Sequence, residues 1–225
     1  MKSAVIVFPG SNCDYDMYFA LKLSGHHPEF VWHKNSNLNG FELAVLPGGF
    51  SYGDYLRAGA IAHYSPIMQE VLRFAKRGGL VMGICNGFQV LTETKLLPGA
   101  LHKNKNLRFL CQQVYLSVEN NKSIFTKSIA EDKRLKIPIA HGEGNYYIDD
   151  DGLINLIENR QILFRYVDKN QSQNPEANPN GSKDAIAGII NKEGNVMGMM
   201  LHPERAVESI LGSVDGCAIF KSLLN

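Results

Sequence analysis

Short apolar runs, each bounded by turn-forming residues, recur along the first half of the 225-residue chain. The runs at residues 3–8, 43–46 and 80–84 predict buried β-strands, and the segments 14–23 and 67–76 between them predict helices. A strand followed by a helix, repeated along a chain, is typical of a parallel sheet that is wound by helices. We therefore predict an α/β fold with an open, mostly parallel, doubly wound sheet.

The second half of the chain predicts an antiparallel extension of this sheet. Residues 108–118 and 136–140 have the pattern of strands, as do residues 185–190 and 196–201, and a polar loop occupies residues 168–182. In open α/β sheets the ligand binds beyond the carboxyl ends of the strands. We expect the site where four predicted strands end, at Phe8, Leu46, Ile84 and Leu201.

Composition and charge exclude several classes of protein. The chain has 23 basic and 22 acidic residues and a formal net charge of +1, so nothing in its charge indicates nucleic acid or an anionic membrane as a partner. No stretch approaches the roughly 18 apolar residues of a transmembrane helix, and the apolar run near the N terminus is too short for a signal sequence. We expect one cytoplasmic domain that covers residues 1–225.

The cysteines are spaced far apart, at Cys13, Cys85, Cys111 and Cys217. There is no Cys-x-x-Cys pair and no histidine at metal-ligand spacing, so we predict neither a metal site nor a disulfide framework. In a reducing compartment each cysteine is either a small buried hydrophobic residue or a reactive thiol.

Cys85 has a special position within the sequence GICNGFQV, which joins a predicted strand to a predicted helix. A sharp strand-to-helix turn exposes the side chain at its apex, and small residues two positions before and after it let the strand and helix approach closely. Gly83 and Gly87 occupy those positions. At a helix N terminus the thiolate form of Cys85 would be favoured, which prepares a nucleophile. The motif is short, however, and taken alone it leaves a purely structural role open.

A nucleophilic cysteine needs a base, and the base needs an orienting group. Among the seven histidines, His202 directly follows a predicted strand, in the stretch LHPER, and Glu204 points the same way if this segment is extended. These residues predict a Cys-His-Glu triad. At another strand exit, Gly48 and Gly49 allow a backbone N–H to point into the site beside that of Asn86, which predicts an oxyanion hole.

In their order and spacing, GICNGFQ, PGG and HPER resemble the class I (triad) glutamine amidotransferases, which have a flavodoxin-like sheet. Longer stretches resemble, over essentially the whole chain, the glutaminase subunits of phosphoribosylformylglycinamidine synthases, which act in purine biosynthesis. These stretches are FPGSNCDYD (8–16), PGGFSYGDYLRAGAIA (47–62), PIAHGEGNYY (138–147), NPNGS (178–182) and DAIAGI (184–189). One difference is visible, since the family commonly has proline where this chain has Leu201.

The resemblance implies a role for each matching residue. The catalytic residues would be Cys85, His202 and Glu204, the oxyanion hole would be formed by Gly49 and Asn86, and glutamine would contact Gly48, Phe88 and Gln89. The SYGDYLRAGAIA and AHGEGNYY blocks are candidates for a partner face and an ammonia exit, with the residues Arg57, His141 and Glu143. Arg108 and the basic stretch 101–109 would either bind acidic groups there or form a solvated loop.

The resemblance also implies partners. Ammonia released from glutamine would pass to a large synthetase subunit (PurL), and a small third subunit (PurS) would join the complex. The chain has no phosphate-binding loop of its own, so ATP, Mg²⁺ and the nucleotide substrate would bind to the synthetase subunit and no cofactor would bind here.

Two other functions remain open from the sequence. A stand-alone hydrolase of the same architecture would also place a cysteine at a strand-to-helix turn with a histidine nearby, and it would act without a partner. A non-catalytic binding module would not need Cys85, His202 and Glu204 together, and all three are present.

Overall fold

The computed structural model describes residues 1–130, 132–170 and 175–224. Its strands are β1 (Lys2–Val7), β2 (His27–Trp32), β3 (Leu43–Leu46), β4 (Leu80–Ile84), β5 (Ala100–His102), β6 (Leu110–Val118), β7 (Leu135–His141), β8 (Asn145–Tyr147), β9 (Ile162–Val167), β10 (Ile186–Ile190) and β11 (Val196–Met199). Its α-helices are α1 (Asp14–Leu23), α2 (Pro66–Lys76), α3 (Asn86–Glu93), α4 (Asp150–Glu158) and α5 (Cys217–Ser222).

Nine strands of the described residues form one sheet, in the order β2-β1-β3-β4-β11-β10-β9-β6-β7. The pairings from β2 to β11 are parallel, and those from β11 through β10, β9 and β6 to β7 are antiparallel. Strands β5 and β8 pair with each other in a separate ribbon. The predicted open, mostly parallel α/β sheet with an antiparallel extension is confirmed.

The central strands have sequences that suit burial on both faces of the sheet. Every residue of β3 and of β11 is buried, which is typical of strands that are covered by helices on both sides. Helix α2 begins at Pro66, whose fixed φ suits the first helical position, and it buries Ile67, Val71 and Phe74 along one face.

The structure corrects several predicted segments. The strand predicted for residues 196–201 ends at Met199, because the chain then leaves β11 and Leu201 forms a single bridge to Ile139 on β7. The sequence did not predict α4, β9 or the short strands β5 and β8. Within the polar loop predicted for residues 168–182, residues 171–174 lie outside the described residues, and Pro175–Ala177 form one 3₁₀ turn.

Candidate active site

The carboxyl ends of β1, β3, β4 and β11 meet at one edge of the sheet, as the sequence predicted. The backbone N–H of Cys13, after β1, donates to the carbonyl of Gly48, after β3. A β-carbon at Gly48 would lie 2.7 Å from Cε1 of His202, which follows β11. The backbone N–H of Cys85, after β4, donates to the carbonyl of Met199 at 2.8 Å. Four segments that are distant in sequence therefore form one site.

Cys85 occupies a sharp turn between β4 and α3. Its backbone has φ 51° and ψ −107°, a conformation that L-residues rarely adopt and that is associated with functional sites. A β-carbon at Gly83 would lie 2.7 Å from the carbonyl oxygen of Gly87, and one at Gly87 would lie 1.9 Å from that of Leu46. Both glycines are therefore required because α3 packs closely against the ends of β3 and β4, as the sequence predicted for a sharp strand-to-helix turn.

The Cys85 side chain faces a small cavity. Only 5% of Cys85 is exposed, and its Sγ lies 3.7 Å from the carbonyl oxygen of Ala140. The cavity has a volume of about 130 Å³. Its lining residues are Gly49, Phe50, Asp54, Cys85, Gln89, Phe109, Ala140, His141, Gly142 and Glu143.

His202 and Glu204 form a buried pair beside this cavity. Nδ1 of His202 lies 2.6 Å from Oε1 of Glu204, and the His202 Nε2 atom is buried without a partner. Burial opposes protonation of the imidazole, but the Glu204 carboxylate and the sulfur of Cys85 outweigh it and hold the pKa of His202 well above its ordinary value. An imidazole held in this way can exchange a proton with a group at Nε2.

The backbone around His202 differs from the extended segment that the sequence predicted. Pro203–Arg205 form a 3₁₀ turn, in which Pro203 takes the first position because it needs no N–H partner there. This turn still brings Glu204 onto the ring of His202. Leu201, which replaces the proline common in the resembling family, is fully buried, and the N–H of His202 donates to the carbonyl of Pro138 at 2.9 Å.

Some of the residues predicted to bind glutamine or its oxyanion line the cavity, and others do not. Gly49 and Gln89 line the cavity with Cys85. Asn86 is buried at the first position of α3, where its backbone N–H has no partner within the helix.

Two other residues predicted to contact glutamine do not line the cavity. Gly48 packs against His202, and Phe88 is a fully buried core residue that stacks on Tyr146. Their contact with glutamine stays a prediction.

The side chain of Asn86 links the cavity wall to a neighbouring loop. Its amide nitrogen donates to Oδ1 of Asp54 at 3.0 Å and to Oε1 of Gln89 at 2.9 Å. Its oxygen accepts from the N–H of Ser51 at 3.1 Å. Gln89 in turn donates to the carbonyl of Glu143 at 2.7 Å. Three segments around the cavity are therefore fixed by the first turn of α3.

His141 is a neutral imidazole in the cavity wall. The side-chain amide nitrogen of Asn104 donates its two hydrogens to the backbone carbonyls of Arg108 and His141. The side-chain oxygen of Asn104 lies 3.1 Å from Nδ1 of His141 and can only accept a hydrogen bond, so Nδ1 carries the proton. Burial and the nearby His202 lower the pKa of His141 to about 4. Its Nε2 therefore carries a lone pair, and this atom is buried without a partner.

Arg57 and Arg108 lie outside the cavity. The Arg57 side chain is exposed and forms a bidentate pair with Glu93, at 2.7 and 2.5 Å. Arg108 is exposed, and its carbonyl accepts from Asn104. Glu143 lines the cavity with His141, so of the three residues predicted for the partner face or ammonia exit, two reach the site itself.

A comparison with protein families identifies this architecture. Residues 1–216 match the model of the CobB/CobQ-like glutamine amidotransferase domain. The chain belongs to this glutamine amidotransferase family. It is 55% identical to the phosphoribosylformylglycinamidine synthase subunit PurQ of Moorella thermoacetica, in an alignment that covers 100% of this chain and 96% of that protein.

Solved structures of related proteins have the same fold. This amidotransferase matches a chain of the PurLQS structure from Thermotoga maritima with a TM-score of 0.88 and 46% identity, over 100% of this chain and 97% of that one. It also matches the glutaminase domain of Trypanosoma brucei CTPS, solved with bound acivicin, with a TM-score of 0.63 and 11% identity over 100% and 92% of the two chains. The second likeness shows the fold alone.

The structure adds residues to this site that the sequence did not single out. Cys13 is buried, and its Sγ accepts a hydrogen bond from Nη2 of Arg205 at 3.1 Å. Ligand atoms of Cys13, His202 and Glu204 lie within 4.8 Å of one another, although the guanidinium already places a cation at this sulfur. Asp54 lines the cavity. The sequence did not predict that Cys13 or Asp54 belongs to the site, because each of them reaches it through a turn.

The cysteines and the helices agree with two further predictions. The four cysteines are unpaired, with Cys13 and Cys85 buried and Cys111 exposed. In the described part of the chain, none of the helices combines the length and apolarity needed to cross a bilayer. The prediction that no metal or cofactor binds to this chain stays a prediction.

Proposed function

We propose that this chain is the glutaminase subunit of a phosphoribosylformylglycinamidine synthase, in the cytoplasm. It hydrolyses glutamine to glutamate and ammonia. The ammonia passes to a large ATP-dependent synthetase subunit, where ATP and Mg²⁺ are used to convert formylglycinamide ribonucleotide to formylglycinamidine ribonucleotide. The identity of 55% to PurQ over the whole chain and the structural match to PurLQS support this function.

The first half of the reaction forms a thioester. The Cys85 thiolate attacks the side-chain amide carbon of glutamine, and the carbonyl oxygen of the tetrahedral intermediate takes the negative charge. The N–H groups of Gly49 and Asn86 stabilise this oxyanion. His202, protonated at Nε2 and held by Glu204, gives its proton to the amide nitrogen as the C–N bond breaks, so that ammonia leaves and a glutamyl thioester remains on Cys85.

The second half releases glutamate. Neutral His202 takes a proton from a water molecule, whose oxygen attacks the thioester carbon. The C–S bond then breaks, which leaves the Cys85 thiolate and the His202 imidazolium, and the product leaves as glutamate after its new carboxyl group loses a proton to solvent. The observation that best supports this mechanism is the buried His202–Glu204 pair, because the sulfur of Cys85 is close enough to His202 to raise its pKa.

Ammonia must leave this site without being protonated, since ammonium is not a nucleophile. His141 suits that requirement because its pKa of about 4 leaves it neutral at physiological pH. Its free Nε2 lone pair can accept a hydrogen bond from an N–H of ammonia, and it has no acidic proton at that atom to donate. We place the start of the ammonia exit at His141 and Glu143.

The synthetase subunit would dock around the mouth of the cavity. Phe109, which lines the cavity, is 55% exposed, and Leu56 and Leu107, each two residues from a lining residue, are 89% and 79% exposed. Exposed apolar patches of this kind mark protein interfaces. Arg57, which is exposed on the same loop as Leu56, belongs to this face. A small third subunit (PurS) is also proposed in the complex.

The experiment that tests this function measures glutamate release from glutamine by the purified chain, alone and with the synthetase subunit, nucleotide substrate and Mg-ATP. We expect weak release alone and stimulation in the complex, with both lost in Cys85→Ala. Cys111→Ala, which removes an exposed thiol, is the matched control and should behave like the native chain.

The same measurement separates the two other functions. Full glutamine hydrolysis without any partner would favour a stand-alone hydrolase. A native complex that releases no glutamate would favour a binding module. If Cys85→Ala released glutamate as fast as the native chain, the assignment of the triad would be wrong.

A further inference from the structure

Asp54 lies in the wall of the Cys85 cavity, half-buried, although the reaction described above gives it no role. Its Oδ1 accepts from the side-chain amide of Asn86, the residue that follows the nucleophile. Burial raises the pKa of Asp54 to about 6; the hydrogen bond from Asn86 opposes this shift and the nearby Glu143 adds to it. The carboxylate is therefore placed where its negative charge is only partly compensated.

The charge balance of the cavity points to a cationic ligand. The lining includes two carboxylates, those of Asp54 and Glu143, and no lysine or arginine is found among the described residues that line it. Arg57, on the same loop as Asp54, is paired with Glu93. A half-buried carboxylate without a cationic partner is costly, and a bound ammonium group would relieve that cost.

Glutamine carries such a group, and this inference rests on the proposed glutaminase function. When the amide carbon of glutamine reaches Cys85, the other end of the molecule, with its α-ammonium, extends toward another part of the cavity wall. We propose that Asp54 accepts hydrogen bonds from the α-ammonium of glutamine and makes the site select an α-amino acid over a simple amide.

The loop that carries Asp54 is fixed before substrate binds. Tyr52 and Asp54 both have positive φ angles, 54° and 53°, which non-glycine residues rarely adopt. The Tyr52 hydroxyl is held by Nδ1 of His33 at 2.8 Å and by Oγ of Ser65 at 2.7 Å. Since Ser51 is also held by Asn86, the carboxylate is positioned by its scaffold, which lowers the entropic cost of binding.

The test is the substitution Asp54→Asn in the assembled complex. Asparagine tolerates positive φ and keeps the oxygen that accepts from Asn86, so the substitution removes the charge and leaves the loop intact. Two substrates are compared: L-glutamine and 4-carbamoylbutanoate, which is glutamine without its amino group. We expect the ratio of kcat/KM for glutamine to that for the analogue to fall about tenfold to hundredfold, as expected for a lost hydrogen bond between charged groups.

Asp150→Asn is the matched control, because Asp150 is exposed on α4, outside the cavity lining, and should leave the ratio unchanged. An equal loss for both substrates in Asp54→Asn, or no change in the ratio, would overturn the proposal, since Asp54 would then act only through Asn86 or not at all.

Calorimetry separates this proposal from the proposed function. In a Cys85→Ala background, adding Asp54→Asn should weaken binding of L-glutamine and leave binding of the analogue unchanged. If the native complex hydrolyses neither amide, the proposed glutaminase function is wrong, but calorimetry still tests the role of Asp54. If Asp54→Asn weakens binding of both ligands equally, or if the Cys85→Ala chain does not bind glutamine, the proposed role of Asp54 is rejected.

Discussion

Nδ1 of His202 lies 2.6 Å from Oε1 of Glu204, and both side chains are almost completely buried. The second carboxylate oxygen of Glu204 is buried without a hydrogen-bond partner, so its hydrogen bond with the imidazole is made through Oε1. A buried carboxylate in this position fixes the proton on Nδ1 and stabilises the imidazolium.

Replacing Glu204 with glutamine should therefore reduce activity and shift its pH dependence. We expect kcat for glutamine hydrolysis to fall about 10² to 10⁴-fold. Because Glu204 raises the pKa of His202, its removal lowers that pKa, and the alkaline limb of the kcat/KM profile moves to lower pH. Glu208→Gln is the control. An unchanged alkaline limb would show that Glu204 does not set the protonation of His202.

The environment of Asp54 predicts a second pH effect. The α-ammonium of glutamine binds the ionised carboxylate, so KM for glutamine should rise as the pH falls below about 6, the pKa of Asp54 in the free protein. The other titratable groups in the lining of this cavity are Glu143, Cys85 and His141. In Asp54→Asn the rise should disappear, and its persistence would assign it to one of those other groups.

His141 predicts a dependence of stability on pH. Its pKa is about 4 in the folded chain and near 6.5 when exposed, so between these values the unfolded chain binds more protons. The free energy of unfolding should therefore decrease as the pH falls from 6.5 to 4, by about 3 kcal/mol for His141 alone. Urea unfolding at several pH values should show a smaller loss in His141→Gln than in the native chain.

His102→Gln is the control for this measurement, because His102 is exposed. Asp54, whose pKa is raised, contributes in the opposite direction and is present in all three chains, so it cancels from the comparison. Equal slopes in the native and His141→Gln chains would show that His141 is not held neutral by burial.

Close packing at Gly87 predicts a large cost for a single methyl group. A β-carbon there would lie 1.9 Å from the carbonyl oxygen of Leu46, so Gly87→Ala must push α3 away from the end of β3. We expect a loss of about 1 to 3 kcal/mol or more in the free energy of unfolding. Gly142→Ala is the control, since its β-carbon would meet only Phe109, at 3.8 Å. Similar losses in both variants would contradict the close approach.

Much of the fold follows from local pattern. The bounds of α1, β3 and β4 agree with the sequence prediction, because continuous apolar runs and the glycines and polar residues beside them mark where each element stops. Helix α4 was missed because it buries only Leu156 and leaves Ile154 and Ile157 exposed, so its sequence lacks a clear apolar face.

The site was predictable only where a motif lies on the element itself. Cys85 and His202 follow strands directly, and parallel strands bring such positions together. Asp54 and Cys13 enter the site through turns whose geometry depends on distant partners, Asn86 for the first and Arg205 for the second. Phe88, which lies beside the motif, is a fully buried core residue, and its contact with glutamine stays a prediction. Long-range contacts of this kind leave no signal in local sequence.

Two buried thiols, those of Cys85 and Cys13, lie close to His202, and we propose that Cys85 forms the thioester. The most direct test is rapid acid quenching of the assembled complex during glutamine turnover, followed by mass spectrometry of the cysteine peptides. We expect a glutamyl adduct on the Cys85 peptide and none on the Cys13 peptide. An adduct on Cys13, or steady glutamate release in Cys85→Ala at the native rate, would contradict it.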